Sequence, residues 1–371
     1  MRIAQIANLY SPQSGGIKRF INELSQQYGN LGHHVTVILP AKTDTFQIRE
    51  NVSIIQLKSP PLPFSGGYRI ITRIKSVIEL LKDFEPDVVE ISDRLTLLLV
   101  AKWCRKKSIM TVFFAHERLD GVLATFAPWL PFKALILNYW NKRTVRQFSH
   151  IVATTRYASE EILPILTAGR QTGSDFHIVP LGVDHEKFSP SSQNSPKTYM
   201  LACTRLSSEK DPLLLLEIAR ELKMRGVNQR LYIAGSGPLL CRMQEMVAAE
   251  KLNVQFLNYI SNQHELINLM RGATIFLAVG PIETFGLAAL EALACGTPVL
   301  CRDTGAIGEI INQESGLALP RDSCLWANLI EDIYSNHLRF DKLEIKKRAE
   351  EFSWRRSAES LLKIYQRVPV S

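Results

Sequence analysis

The 371-residue chain carries 44 Lys and Arg against 36 Asp and Glu, with 46% hydrophobic and 22% charged residues. This is the composition of a folded globular protein with material for two or three domains; it excludes intrinsic disorder, collagen-like repeats and disulfide-stapled miniproteins. The positive excess is one-sided, with 20 Lys and Arg against 11 Asp and Glu in residues 1–150 and 24 against 25 in residues 151–371.

The opening MRIAQIANLYSPQ has a short apolar run that reads as a first strand rather than a signal peptide. Short β-branched runs then alternate with helical patterns. Strands are expected at Arg2–Ala7, His34–Leu39, Val52–Leu57, Asp87–Ile91, Ile109–Phe114, His150–Ala153 and Phe176–Val179, with helices such as Ile17–Leu31 and Thr96–Lys107. Ser14-Gly15-Gly16-Ile17 lies between the first strand and the first helix. A glycine pair there lets backbone N–H groups approach a phosphate; a plain tight turn is the alternative.

The basic excess includes Arg69, Arg73, Lys75, Lys102, Arg105, Lys106, Lys107, Lys142, Arg143 and Arg146. It points to an anionic partner, and two segments favour a membrane surface over nucleic acid. Residues 67–82 space their apolar side chains as an amphipathic helix. Residues 122–140, VLATFAPWLPFKALILNYW, are apolar and aromatic but too interrupted by Pro128, Pro131 and Lys133 to span a bilayer. A core helix and a buried loop are the competing readings. His116 follows the strand ending at Phe114, where hydrogen-bonding or acid–base work is open to it.

A second series begins with Thr198–Cys203 and continues through Gln229–Ala234, Val254–Leu257, Thr274–Ala278 and Pro298–Cys301, with helices Pro212–Met224 and Pro238–Glu250 between them. Two consecutive βα series predict two doubly wound parallel-sheet domains, with a seam in the Ser-, Pro- and Asn-rich 182–196 and ligands beyond the strands' carboxyl ends. Arg205 and Lys210 follow the first strand of this series, where two cations suit a diphosphate. Gly235-Ser-Gly237-Pro238 matches half of a dinucleotide fingerprint, with a strand-to-helix turn as the simpler reading. Pro281-Ile-Glu283-Thr-Phe-Gly286-Leu-Ala-Ala-Leu-Glu291 places two carboxylates eight residues apart around a helix start, where the N–H groups of Thr284, Phe285 and Gly286 are spare donors. A charged Glu291 in so apolar a helix needs a partner. The six cysteines form no CxxC pair and no Cys/His cluster of zinc spacing, and read as reduced, mostly buried thiols.

Taken together, Gly15-Gly16, GVDHEKF at 182–188, Arg205 with Lys210, Gly235-Ser-Gly237-Pro238 and Glu283 with Glu291 resemble, over nearly the whole chain, the retaining glycosyltransferases of family 4. The resemblance implies a GT-B fold: two facing Rossmann-like domains, 1–185 binding the acceptor and 186–353 binding the nucleotide sugar. A last helix near 354–371 would cross back to the first domain. It implies that Arg205, Lys210 and the backbone at Gly15 and Gly16 hold the diphosphate. Glu283 and the backbone of Thr284, Phe285, Gly286 and Leu287 would hold the donor sugar, Glu291 the ribose, and His116 the sugar's 6-hydroxyl side. The catalytic set is then His116, Arg205, Lys210 and Glu283, with no metal and no cofactor beyond the donor.

SDRLTLLLVAKWCRKK followed by HERLD resembles the GDP-mannose-dependent members that act on membrane glycolipids, through Asp93, Arg94, Glu117, Arg118 and Asp120. Glu117 stands where many members have Asp. This resemblance favours GDP-mannose, a lipid or glycolipid acceptor, and a cytoplasmic protein bound peripherally to the inner membrane face. UDP-glucose, UDP-galactose and UDP-N-acetylglucosamine stay open as donors. A nucleotide-sugar epimerase, a nicotinamide-dependent oxidoreductase and a non-enzymatic membrane binder are the readings from other classes.

Overall fold

A computed structural model of the chain describes residues 1–10, 15–62, 68–116, 118, 132–168, 174–191 and 198–366. The chain forms two compact units, Met1–Leu181 with Trp354–Ser371, and Gly182–Ser353. The seam thus falls four residues before the sequence-based boundary at 185.

The first unit runs β1 (Arg2–Ile6), α1 (Gly16–Asn30), β2 (His34–Ala41), β3 (Thr45–Arg49), β4 (Val52–Lys58), α2 (Ile74–Phe84), β5 (Val88–Ile91), α3 (Leu98–Lys106), β6 (Met110–Ala115), α4 (Lys133–Val145), β7 (His150–Ala153), α5 (Arg156–Ser159), α6 (Leu163–Ala168) and β8 (Asp175–Ile178). Its sheet has the order β3-β4-β2-β1-β5-β6-β7-β8. The central strands are parallel and buried on both faces, which is why runs such as VVEI lack polar alternation. The sheet is mixed rather than purely parallel, because β3 pairs antiparallel with β4 through a tight turn at Glu50 (φ 50°). The alternation Thr-Phe-Gln-Ile-Arg signals that strand, and its side chains are all exposed at the sheet edge.

The second unit runs β9 (Tyr199–Cys203), a 3-10 turn (Ser208–Lys210), α7 (Leu213–Met224), β10 (Arg230–Ala234), α8 (Leu240–Glu250), β11 (Val254–Asn258), α9 (Gln263–Gly272), β12 (Ala273–Ala278), α10 (Leu287–Ala294), β13 (Val299–Arg302), α11 (Ile307–Ile310), β14 (Gly316–Leu319), α12 (Ser323–Tyr334) and α13 (Lys342–Glu350). Its sheet is all parallel, in the order β11-β10-β9-β12-β13-β14. Counted within the unit this is 3-2-1-4-5-6, the doubly wound order with its switch point between β9 and β12. The core beneath it is mainly aliphatic, built on Leu214–Leu216, Ile233, Ile275 and Leu300 around the buried Trp326.

The last helix, α14 (Trp354–Tyr365), packs on α1 of the first unit. Trp354, Ala358, Leu361 and Tyr365 form its buried stripe. Its Tyr365 and Tyr28 of α1 both donate hydrogen bonds of 2.7 Å to Oε1 of Glu90 on β5, while Gln5 of β1 donates 2.7 Å to Oε2.

The expected helix over 67–82 begins only at Ile74, and residues 68–73 before it are not helical. Its apolar stripe is spent on the core, with Val77 and Leu81 fully buried. Of the cysteines, Cys104, Cys295 and Cys301 are buried, whereas Cys241 and Cys324 are exposed, and all six are unbridged.

Candidate functional site

In the second unit the loops after β9 and β12 rise side by side at the switch point. Lys210, at the end of the 3-10 turn after β9, donates 2.8 Å to Glu283 Oε1 and 3.1 Å to the Ile282 carbonyl in the loop after β12. Both side chains are partly open to solvent, so the pair is accessible to an incoming group. Glu283 is fixed through its own carbonyl, which accepts from Ala306 N at 2.8 Å.

Gly286 caps α10 with φ 99°. A Cβ there would fall 2.6 Å from Ile307, so no other residue fits this turn without displacing α11. Beyond it, the N–H groups of Phe285, Gly286 and Leu287 have no acceptor among the described residues. Three spare donors and the positive end of α10 therefore lie beside an ammonium group, an arrangement that suits an oxyanion or a ring of hydroxyls. Glu291 sits in the second turn of α10, only 4% exposed.

Arg205 is exposed two residues beyond β9. Gly235 and Gly237 hold the segment that carries it. The Thr204 and Leu206 N–H groups bond to the Ala234 and Ser236 carbonyls at 3.0 Å, and a Cβ on Gly235 or Gly237 would lie 1.9 Å from Thr204 O or 2.3 Å from Leu206 O. This Gly-Ser-Gly-Pro segment is a strand-to-helix turn that makes room for its neighbour, and α8 starts at Leu240 rather than at Pro238.

In the first unit, α1 begins at Gly16 with Gly15 as its cap, and a Cβ at either meets nothing described within 4 Å. His116 follows β6, its ring edge-on to Phe20 of α1 at 4.3 Å and stacked on Phe114 at 5.6 Å. This apolar setting pushes its pKa down to about 4, so the imidazole is neutral across the physiological range. Beside them Asp93 is buried and accepts from Asn8 at 3.0 Å and from the N–H groups of Leu95 and Leu97. Burial raises its pKa, the three hydrogen bonds partly offsetting that.

The profile of the family described as "Glycosyltransferase Family 4" matches residues 14–187, and that of "Glycosyl transferases group 1" matches residues 184–351. A GDP-mannose-dependent alpha-(1-6)-phosphatidylinositol dimannoside mannosyltransferase of Mycobacterium tuberculosis is 36% identical over 374 residues, 98% of this chain and 95% of the relative. The chain belongs to glycosyltransferase family 4. An alpha-monoglucosyldiacylglycerol synthase of Streptococcus pneumoniae is 24% identical over 335 residues, 85% of this chain and 74% of the relative. Among solved structures, the sucrose-phosphate synthase of Thermosynechococcus elongatus superposes with a TM-score of 0.79 at 20% identity, covering 98% of both chains. A glycosyltransferase from Rickettsia africae gives 0.73 at 19% identity, covering 98% of this chain and 97% of its own. These likenesses establish the GT-B fold.

Of the residues singled out from sequence, this glycosyltransferase brings Lys210 and Glu283 into direct contact and sets Thr284, Phe285, Gly286, Leu287 and Glu291 in the adjoining turn and helix. Arg205 lies on the same edge of the second sheet, and Gly15, Gly16 and His116 on the carboxyl edge of the first. Arg94 is buried, paired with Glu161 at 2.9 Å and lying over the Phe113 ring. Arg118 pairs with Glu160 at 2.6 Å and covers the Tyr157 ring. Ser14, Glu117, Asp120 and most of 122–140 lie outside the described residues.

Sequence reasoning missed the group that anchors Lys210. The next residue, Asp211, adopts φ 44° and accepts from Arg302 of β13 at 3.2 Å and from Arg321 at 2.7 Å; Arg321 also pairs with Glu217 at 2.8 Å. The signal was an Arg ending the apolar strand Val-Leu-Cys-Arg, since a buried guanidinium needs a carboxylate. Asp211→Asn tolerates the left-handed backbone but loses the charge that binds both guanidinium groups. It is expected to lower kcat of the glycosyl transfer about ten- to a hundredfold with KM nearly unchanged. Wild-type kcat in this variant would remove Asp211 as a positioning residue.

Proposed function

We propose that this chain is a retaining, metal-independent mannosyltransferase that moves mannose from GDP-mannose to a hydroxyl of a membrane glycolipid. The observation that carries the reading is the Lys210–Glu283 pair at the β9/β12 switch point, 2.8 Å apart and beside the spare N–H groups that open α10. The choice of donor and acceptor is supported by the 36% identity over 98% of the chain to the phosphatidylinositol dimannoside mannosyltransferase.

In this reading Arg205 and Lys210 neutralise the diphosphate, with backbone N–H groups at Gly15 and Gly16 assisting. Glu283 and the N–H groups of Thr284, Phe285, Gly286 and Leu287 hold the sugar hydroxyls, and Glu291 holds the ribose. His116, uncharged at neutral pH, hydrogen-bonds the sugar rather than moving a proton. The acceptor oxygen bonds to the anomeric carbon on the face the phosphate leaves. The bond from that carbon to the phosphate oxygen breaks, and a phosphate oxygen takes the acceptor's proton. The protein contributes orientation and charge stabilisation. The similarity to a glucosyldiacylglycerol synthase favours UDP-glucose as the second donor to test.

The acceptor surface we assign to α4. Phe132, Leu135 and Tyr139 are 75%, 65% and 62% exposed at helical spacing, and Lys142, Arg143 and Arg146 extend the same region. The Arg105 guanidinium bonds the Arg146 carbonyl, which brings Lys102 and Lys106 of α3 and its capping Lys107 alongside. An apolar stripe flanked by cations suits an anionic leaflet, each cation adding about 1 kcal/mol near the surface. Among the described residues no helix is long and apolar enough to cross a membrane. Peripheral association with the cytoplasmic face follows from this reading. Leu135→Glu with Tyr139→Glu is expected to abolish co-sedimentation with phosphatidylinositol-containing vesicles while GDP binding is retained; undiminished sedimentation would move the membrane face elsewhere.

The donor is tested by thermal-shift titration of the full chain, without metal, against GDP, UDP, ADP and their sugar conjugates. A selective shift with GDP and GDP-mannose is the expected result. A UDP-selective shift would replace the donor, and no shift with any nucleotide would remove the site.

A further inference from the structure

The first unit carries a second cluster of reactive side chains, at the amino ends of strands whose opposite edge bears Gly16 and His116. β7 opens on His150 and the edge strand β8 opens on Asp175. The two are register partners, and His177 stands two residues further along β8. Side chains alternate across a strand, so Asp175 and His177 share a face, and the parallel register brings His150 to it. One donor atom from each residue lies within 4.8 Å of the other two. His150 Nδ1 is 3.2 Å from His177 Nε2 and 3.8 Å from Asp175 Oδ2.

Those separations have a meaning for coordination chemistry. Two nitrogens each about 2.0–2.1 Å from a tetrahedral zinc ion are about 3.3 Å apart, the edge of the tetrahedron. The two imidazoles already stand at that spacing. The Asp175 carboxylate stands 3.8 Å from His150 Nδ1 and within 4.8 Å of the His177 donor atom, so it must swing inward to complete a third corner, and its side chain is 77% exposed. The backbone beneath is fixed. Asp175 N bonds the Ser149 carbonyl at 2.9 Å, and Ser174 Oγ lies 2.7 Å from the carbonyls of Val145 and Phe148. A hydrogen bond between the two imidazoles accounts for their spacing, and the Asp175 carboxylate, an ion-pair partner of His150 when that imidazole is protonated, brings a third donor to the same point.

We propose that His150, His177 and Asp175 form a binding site for a divalent transition metal of the zinc class, with water completing the tetrahedron, that fastens the edge strand β8 to β7. Two imidazoles and one carboxylate select zinc, cobalt, nickel or copper over magnesium and calcium, which require more oxygen donors. Among the described residues strand β8 has a neighbour on one side only, so a metal clip there stabilises the unit by mass action without touching the transfer chemistry. No spacing motif announces the site, because the two histidines lie 27 residues apart on different strands.

The test uses the untagged full chain, stripped with a chelator and desalted. Co2+ is expected to bind at one equivalent and give visible d–d absorption of tetrahedral intensity, which Zn2+ abolishes. Zn2+ is expected to raise the melting temperature where Mg2+ does not. Asp175→Asn, at an exposed side chain that leaves folding intact, and His177→Gln are each expected to raise the half-saturating Zn2+ concentration more than about tenfold, since even second-shell changes cost that much. His33→Gln, at a histidine near the N-terminal amine, is expected to leave it unchanged. Absence of the cobalt bands, or an unaltered Zn2+ response in Asp175→Asn, would overturn the proposal.

Discussion

Lys210→Ala is expected to lower kcat/KM for hexosyl transfer about a hundred- to a thousandfold, the usual loss when one preorganised donor to a developing negative charge is removed. The side chains of Lys210 and Glu283 are 23% and 28% exposed, so water replaces the lost ammonium and the fold persists. The melting temperature of the nucleotide-free variant should therefore stay near that of the wild type. Glu283→Gln separates the two roles. It keeps an acceptor toward Lys210 and the sugar but removes the charge, so it should retain more activity than Lys210→Ala while weakening sugar-nucleotide binding relative to the bare nucleotide. Steady-state kinetics with a fixed acceptor, run beside a melting curve, reads both. Near-normal turnover in both variants would remove this pair from the site.

The largest stability effect is expected at Glu90. Its carboxylate is 2% exposed and is shared by β1, α1 and α14 through Gln5, Tyr28 and Tyr365. Glu90→Ala strands two tyrosine hydroxyls and an amide in the interior and opens a cavity, which should cost about 3–5 kcal/mol. Glu90→Gln should cost little at neutral pH. It keeps an oxygen for both tyrosines, and a turn of the Gln5 amide, whose Nε2 now donates to Oε2, presents its Oε1, without a hydrogen-bond partner among the described residues, to the new N–H.

The pH dependence has a definite sign. Burial raises the Glu90 pKa above 4.5, with the three hydrogen bonds acting against it. Between 4.5 and that raised value the native state binds more protons than the unfolded one. The stability contribution is therefore complete below 4.5 and is lost as pH rises through the folded-state value. Glu90→Gln removes that slope. Denaturant unfolding of the full chain at several pH values checks this, and a Glu90→Ala variant within about 0.5 kcal/mol of wild type would contradict it.

The sequence carried the doubly wound sheets well, because buried parallel strands such as VVEI and YMLAC are apolar runs bounded by turn residues. It carried the switch-point site through residue type and order: cations after one strand, a carboxylate and glycine after another. Features made by contacts across the chain were not legible. Residues 67–82 have the spacing of a membrane-surface helix, but the same periodicity serves a core helix, and only the packing of Val77 and Leu81 distinguishes them. The anchoring of Lys210 joins Asp211 to Arg302 at the end of β13 and to Arg321 after β14, and the Glu90 tie joins residues at positions 5, 28, 90 and 365. Neither has a local pattern to read. Gly235 and Gly237 resemble a phosphate loop locally, whereas the structure requires them for the close approach of Thr204 and Leu206.

The most direct measurement is transfer of labelled mannose from GDP-mannose, in the presence of a chelator, to vesicles containing phosphatidylinositol mannosides, with wild-type protein and Lys210→Ala side by side. Labelled glycolipid from the wild type, and about a hundredfold less or lower from the variant, is the predicted result. Lipid labelling equal in both proteins, or wild-type labelling from UDP-glucose and none from GDP-mannose, would contradict the assignment.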